Sequence, residues 1–392
     1  MAKPKLGLIP SAQGSKFYSV LPSSGVVDFT FSRSGSATRI NSQGLVETVS
    51  GGESRLNYPM IDGKVVGCPH HILEPQRTNL ETKSNEFSTW GTNSNITRTA
   101  NYIISPDGTL NGTRLQFTSN GFCANTTQVN TTQYTISCYA KRNDSGTQNV
   151  GFFTNGSGVV NSAWEITSEW KRFTYTYTSG NVSFVGISGD SGADISVYGF
   201  QLEEGSYPTS YIPTNGSAVT RSAETATGSG DADTFNGLQG VLMAEISALD
   251  SNPNTYRAIY LNDTNATRYV GMRYALNSNL IQVLGFDGSN FVSQNLTLFD
   301  SKLNTKISVK YSSEGLVIWV NGFKLSTLLG FTGMGANDLN ELVFRSNNLQ
   351  PFHGKAKQVQ YYDSALTDSE LETLTSWVSF SDMAQAQQYS II

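Results

Sequence analysis

Charge is scarce in this chain. Asp, Glu, Lys and Arg make up 15% of its 392 residues, against about 25% in ordinary soluble domains. The balance is slightly acidic, with a net charge of −5. No basic stripe is present to neutralise phosphates, which excludes nucleic acid as an expected partner. Long apolar runs are missing too. None approaches the roughly 18 residues of a spanning helix, so no membrane insertion is expected, and the opening MAKPKLGLIPSAQGS lacks the apolar centre of a signal peptide. Cysteine is limited to Cys68, Cys123 and Cys138, odd in number and without a CxxC pair. His70, His71 and His353 are not at metal-ligand spacing. These counts argue against a disulfide framework and a zinc site, and the thiols read as small buried hydrophobes. No cofactor is expected. Loops such as NDTN and DGSN have calcium-compatible oxygens but are also ordinary turns. There is no GxSxG, HExxH or Walker loop. Glu203-Glu204 and Asp231/Asp233 are acidic pairs, yet no strand carries the spaced Glu and Asp that glycoside hydrolysis needs across a cleft. No enzymatic activity and no catalytic residue are therefore expected.

Asn, Ser, Thr and Gly fill the place of charge, and 20 Phe, 18 Tyr and 5 Trp supply apolar surface to bury. The pattern is that of a turn-rich all-β protein, long enough for two or three units. Residues 1–80 alternate short β pairs with turns, NSQG joining ATRI to LVETV. Residues 81–215 form a regular series of strands. In QYTISCYAKR, Tyr134, Ile136 and Cys138 share one face; in KRFTYTYT, Phe173, Tyr175 and Tyr177 do. Such period-two runs predict antiparallel strands buried on one side, and several at this spacing predict a sandwich. In ISVYGFQLE the apolar face switches between Val197 and Tyr198, which predicts a bulge or a strand covered on both faces. Residues 216–234 read as a linker, with little to bury in TATGSGDAD.

The β pattern resumes over residues 235–380, with Asn321-Gly322 suited to a tight hairpin. Near its end Thr367 and Glu370 form a capping-box signature, followed by a helical stripe of Leu371, Leu374 and Val378. Residues 381–392 read as a tail.

Three aromatic positions are candidates for a glycan platform. In GLVIWVNG, Trp319 alternates away from Leu316, Ile318 and Val320, so it either lines a concave surface or is buried under a neighbouring segment. In TRYVGMRYA, Tyr269 and Arg273 share one strand face and Tyr274 the other; Tyr and Arg equally suit packing or a subunit contact.

The stretch HILEPQRTNL, residues 71–80, is the least regular part of the chain. Pro75 forbids a regular helix there, and the polar run would make a poor core strand. Arg77 can hold carbonyls or a carboxylate in a planar, two-pronged way, and Asn79 can satisfy turn backbone. The expectation is an ordered connector using Glu74, Gln76, Arg77 and Asn79, anchored by Ile72, Leu73 and Leu80, that locks the N-terminal region to the first sandwich.

Three stretches carry a family resemblance. The first runs from KLGLIPSAQGS to ILEPQRTNL and includes Phe31, Arg33, Ser36, Ala37 and Thr38, then Gly44-Leu45, then Arg55, Leu56 and Tyr58, then Glu74 and Gln76 to Leu80. It resembles the N-terminal region of bacteriophage tail, fibre and head-decoration proteins. The second, YGFQLEEGSYPTSYIPTNGSAVTRSAE, resembles the closing strand and exit of the carbohydrate-binding-like jelly roll that follows in such proteins. The third, from VNGFKL to FHGKAKQVQYYDSALTDSELETLTS, looks like the second half of a concanavalin A-like, laminin-G-like domain. The resemblance implies a virion component with a jelly roll over residues 81–215 and a concanavalin A-like sandwich over residues 235–380, residues 1–80 serving as docking and connector region. It further implies assembly in the host cytoplasm, exposure on the particle surface, contacts with other virion proteins, a homotrimer, and host-surface glycans as ligands. A purely architectural spacer is the rival expectation, and a polysaccharide depolymerase a lesser one.

Overall fold

The computed structural model describes residues 2–13, 16–21, 28–129, 133–155, 158–160, 164–178, 182–251, 255–265, 267–276, 279–345, 350–379 and 382–383. The chain is nearly all β, with 52% of residues in strands and 4% in helix. A β-rich N-terminal region, two antiparallel sandwiches and one short C-terminal helix make up the fold.

The first sandwich is an eight-stranded sheet folded over a single core. Its hinge is the long strand Leu110–Val129. The first part of that strand pairs with Asp194–Glu204 and the second with Val182–Gly189. The fold-over brings non-neighbouring strands together: Phe152 and Phe200 lie with ring centroids 6.1 Å apart. Ile136, Cys138 and Phe173 point into this core with Phe87 and Trp90, as the alternation required. Both expectations for ISVYGFQLE hold. A register shift opposite Ser137–Tyr139 coincides with Gly199 at φ 65°, and every residue from 195 to 203 is buried. A positive φ there costs glycine nothing and most other residues a good deal.

In the last sandwich a five-stranded sheet runs Phe291–Thr297, Leu280–Phe286, Tyr269–Tyr274, Arg257–Asn262, Glu341–Val343. It packs on a larger sheet whose centre is Gly354–Tyr362, Gly240–Ala248, Thr305–Ser312, Gly315–Val320 and Phe323–Leu328. The hairpin between the last two turns through Asn321 and Gly322 at φ 48° and 88°.

The strand Gly354–Tyr362 has a free edge on its other side, and the beginning of the chain fills it. Leu6–Gln13 pairs along Val359–Tyr361, and His70–Leu73 along Gly354–Ala356. Lys16–Leu21, Phe29–Ser32 and Thr225–Thr227 extend the sheet. Leu6, Leu8, Phe29, Phe31 and Leu73 are buried in the same core as Leu242 and Ile259. Residues 1–80, expected to be locked to the first sandwich, thus lie against the last one as well. The expected linker is likewise structured: Val219–Arg221 and Thr225–Thr227 are strands, and Ala226 and Ser229 are fully buried.

The helix Asp368–Thr375 starts on the full capping box of Thr367 and Glu370. Leu371 and Leu374 cover the outer face of the large sheet, over Val241, Met243 and Trp319. The expected stripe is one residue too long. Ser376 ends the helix in extended backbone, and Val378 beyond it is 92% exposed. Apart from residues 382 and 383, the tail lies outside the described residues.

Candidate functional site

The connector runs between the two sandwiches, and Pro75 divides its chemistry. His70–Leu73 before it and Arg77–Asn79 after it are both short strands, the second paired with Val219–Arg221. A strand here was not expected from so polar a run. It forms because its partner is another short surface strand, so neither face has to be apolar.

On the Glu74 side lies a buried ion-pair cluster. The Glu74 carboxylate accepts from Arg55 Nη2 at 2.8 Å and from the backbone and hydroxyl of Ser210 at 2.8 and 2.6 Å, and pairs with Arg221 Nη1 at 2.7 Å. Glu224 accepts from Arg33 Nη1 at 2.7 Å, Arg55 Nε at 2.8 Å and the Glu74 amide at 2.9 Å. All nitrogens of Arg33 and Arg55 donate, and none of the five residues is more than 4% exposed. Burial alone would raise the Glu74 pKa; the charges of Arg221 and Arg55 outweigh it and hold the carboxyl well below the usual range. Arg33, Arg55 and Glu74 come from the first family-like stretch, and Arg221 and Glu224 from the exit segment of the second. Those motif residues therefore form a structural lock. Asn79 does similar work nearby: Nδ2 donates to the carbonyls of Phe200 and Ile212, and Oδ1 accepts from the amides of Glu81 and Leu202. Gln76 is exposed, and its carbonyl accepts from Arg77 Nη1 at 3.2 Å.

Beyond Pro75 a cleft of about 600 Å³ opens where the connector meets both sandwiches. The first sandwich contributes Gln133 and the turn Glu204–Tyr207; the last contributes Asp250, Arg257 and His353. Ser206 Oγ donates to Asp250 at 2.5 Å across the junction. Tyr207 is buried, with the Arg77 guanidinium 5.2 Å and the Arg257 guanidinium 5.7 Å from its ring centroid. Gly205 makes room for Arg77: an added Cβ would lie 2.8 Å from Arg77 Nη2.

Neither arginine is satisfied. Arg257 is 5% exposed, yet its Nε and Nη1 have no hydrogen-bond partner among the described residues. Arg77 Nε is also buried without one; the nearest carboxylate oxygen, on Glu203, is 3.8 Å away. The expected two-pronged grip of Arg77 is thus not made among the described residues. Burial, then the charges of Arg257, Arg221 and Arg77, push the His353 pKa down to about 3. Buried donors left empty each carry a desolvation cost of roughly 1–3 kcal/mol, more when charged. Both residues line the cleft, so it is bordered by two guanidiniums whose charge is not fully compensated by hydrogen-bonded acids among the described residues.

The aromatic candidates lie elsewhere. Trp319 is 6% exposed beneath the C-terminal helix, so it offers no ring face to a sugar. Tyr274 points inward, fully packed in the core of the last sandwich. Tyr269 and Arg273 do share the outer face of the five-stranded sheet, but Tyr269 is stacked on Tyr260 at 5.3 Å and 8% exposed. Arg273 donates to Gln282 at 2.8 Å and lies 3.7 Å over the Tyr256 ring. The structure does not bring the four together.

Arg257 and Tyr207 were not expected. The signal for Arg257 was its parity: it shares the strand face of Ile259 and Leu261, both core residues, so a charge stands at an inward position. Among the described residues no group of three or more His, Cys, Asp or Glu could hold a metal ion. In the DGSN loop, Asp287 accepts from the amides of Ser289, Asn290 and Thr332, which makes it a turn anchor.

No family model and no curated protein matches the sequence. Solved structures similar to parts of it are β-sandwich domains. A Ruminococcus gnavus IT-sialidase CBM40 bound to α2,3-sialyllactose is 14% identical, with 37% of this chain and 86% of that one covered and a TM-score of 0.32. Domain 4 of AbnA, a GH43 extracellular arabinanase from Geobacillus stearothermophilus, in complex with arabinotriose, is 13% identical over 44% of this chain and 83% of its own (TM-score 0.32). The binding domain of Paraclostridial Mosquitocidal Protein 1 is 14% identical over 39% and 43% (TM-score 0.31).

Proposed function

We propose that the protein is a bacteriophage structural virion protein, of a fibre, the tail or the head surface, that displays two lectin-like sandwiches and binds host-surface or environmental glycans in the cleft between them. The observation that carries the binding role is the cleft itself: a concave, mixed-polar space of about 600 Å³ bordered by two guanidiniums with donors unpaired among the described residues. Its size falls in the range of roughly 300–1,000 Å³ usual for small-ligand sites. The virion assignment rests on the resemblance of the first two stretches. In this reading the protein acts by binding and catalyses nothing, sits on the particle surface among other virion proteins, and assembles as a homotrimer whose repeated sites raise avidity by roughly 10² to 10⁴.

The test is competition. Host cells preincubated with purified protein should adsorb fewer phage particles that carry this chain. Unchanged adsorption, or absence of the chain from purified particles, would overturn the reading. Unchanged adsorption with the chain present in the particle would favour the architectural spacer.

A further inference from the structure

The geometry points to a sugar carboxylate as the group the cleft receives, bound by Arg257 and Arg77, whose guanidiniums both lie against the Tyr207 ring. This inference rests on the cleft being the glycan site and adds the class of glycan: an acidic saccharide, such as a hexuronate or a sialic-type residue.

Three observations support it. First, Arg257 is 95% buried by its 5% exposure, and two of its nitrogens are without a partner among the described residues. An anion seated in the cleft offsets the charge of this buried guanidinium, which a neutral hydroxyl does not. Second, the acids nearby are poorly placed to do this internally. Asp250 already accepts from Ser206, and Glu204 is exposed at the rim. The Glu203 carboxylate is taken by Gln201 and by the amide and hydroxyl of Thr209, and stays 3.8 Å from Arg77 Nε. Third, apart from Glu204, Asp250 and the two arginines, the lining carries no formally charged side chain at neutral pH. Gln133, Ser206 and Thr255 suit hydroxyls, so one acidic group on an otherwise uncharged ring matches the cleft better than a polyanion does.

The test uses the intact chain and immobilised glucuronate, galacturonate and sialate oligosaccharides, each beside its carboxyl-reduced neutral counterpart with the same linkages. The expected result is binding at least about tenfold tighter to an acidic form than to its reduced partner, a preference lost in Arg257→Met. Should that variant fold poorly, Arg77→Met, at a half-buried position, should still reduce the preference. His353 gives an independent readout: a bound carboxylate offsets the guanidiniums around it, so its imidazole pKa should rise from about 3 when the acidic oligosaccharide is added.

Equal affinity for acidic and reduced forms, both lost in Arg257→Met, would overturn the carboxylate inference and leave the cleft as the glycan site. A preference that survives both substitutions overturns it as well. Binding to no saccharide would overturn the cleft reading together with it. Binding to inorganic sulfate or phosphate, with none to sugar carboxylates, would replace the ligand class.

Discussion

Two groups of arginines meet at one connector, and they are treated in opposite ways. Before Pro75, Arg33, Arg55 and Arg221 share Glu74 and Glu224, and nearly every donor has an acceptor. After it, Arg77 and Arg257 both lie against the Tyr207 ring, with buried nitrogens unpaired among the described residues. Residue type is the same, and Arg257 is as buried as the lock arginines; what differs is how closely carboxylates approach the guanidiniums. The contrast teaches that a buried arginine marks function only when its donors are counted. Three arginines with two glutamates form a lock, because removing any member strands the others. Two arginines without a dedicated acid, beside an open cleft, form a site.

The sharpest way to break the contrast is to make the lock resemble the site. Glu224→Gln keeps the shape of the side chain but leaves Arg33 and Arg55 short of a counter-charge. A stability loss of about 3–5 kcal/mol is expected by chemical denaturation, as for other buried pairs with one partner removed. Acid should probe the same cluster without mutation. The Glu74 pKa is depressed in the folded state, so the stability it contributes is present above its ordinary value of 4.5 and lost progressively as pH falls below that. Denaturation midpoints should therefore begin to drop as pH falls through about 4.5 and keep dropping well below pH 3, until the depressed native carboxyl itself protonates, and Glu74→Gln should flatten that part.

Next in size is Asn79→Ala. It strands the amides of Glu81 and Leu202 and the carbonyls of Phe200 and Ile212. A cost of about 2–3 kcal/mol is expected, read as a lowered unfolding midpoint, with glycan preference unchanged in the fraction that remains folded.

Much of this architecture was legible in the sequence, and the illegible part has a common cause. Period-two runs placed Ile136 and Cys138 inward, and Thr367 with Glu370 marked the helix start. Alternation says which residues share a face but not what covers that face. Trp319 therefore read equally well as a platform or as core, and the helix that buries it begins 49 residues later, at Asp368. The same limit hid the cleft. Arg77, Tyr207, Arg257 and His353 come from four separate segments, and only the pairing of the N-terminal strands with the C-terminal sheet brings them into register. The connector motif was conspicuous in the sequence, yet its wording did not distinguish Glu74, which closes the lock, from Arg77, which lines the cleft.

Arg77 is where that distinction is smallest in energy and largest in meaning. As an anchor it should matter to stability; as a ligand group it should not. Its contacts with the described residues are modest: one hydrogen bond of 3.2 Å to the adjacent Gln76 carbonyl, a carboxylate oxygen 3.8 Å away on Glu203, and the Tyr207 ring. With the side chain 22% exposed, such contacts are worth at most about 1 kcal/mol together. Part of that returns when the empty buried Nε is removed. Arg77→Ala should therefore shift the unfolding midpoint little while weakening binding of the acidic oligosaccharide. A loss of several kcal/mol would instead place Arg77 with the lock and confine the site to Arg257, because only a side chain engaged by the fold can destabilise it so much on removal.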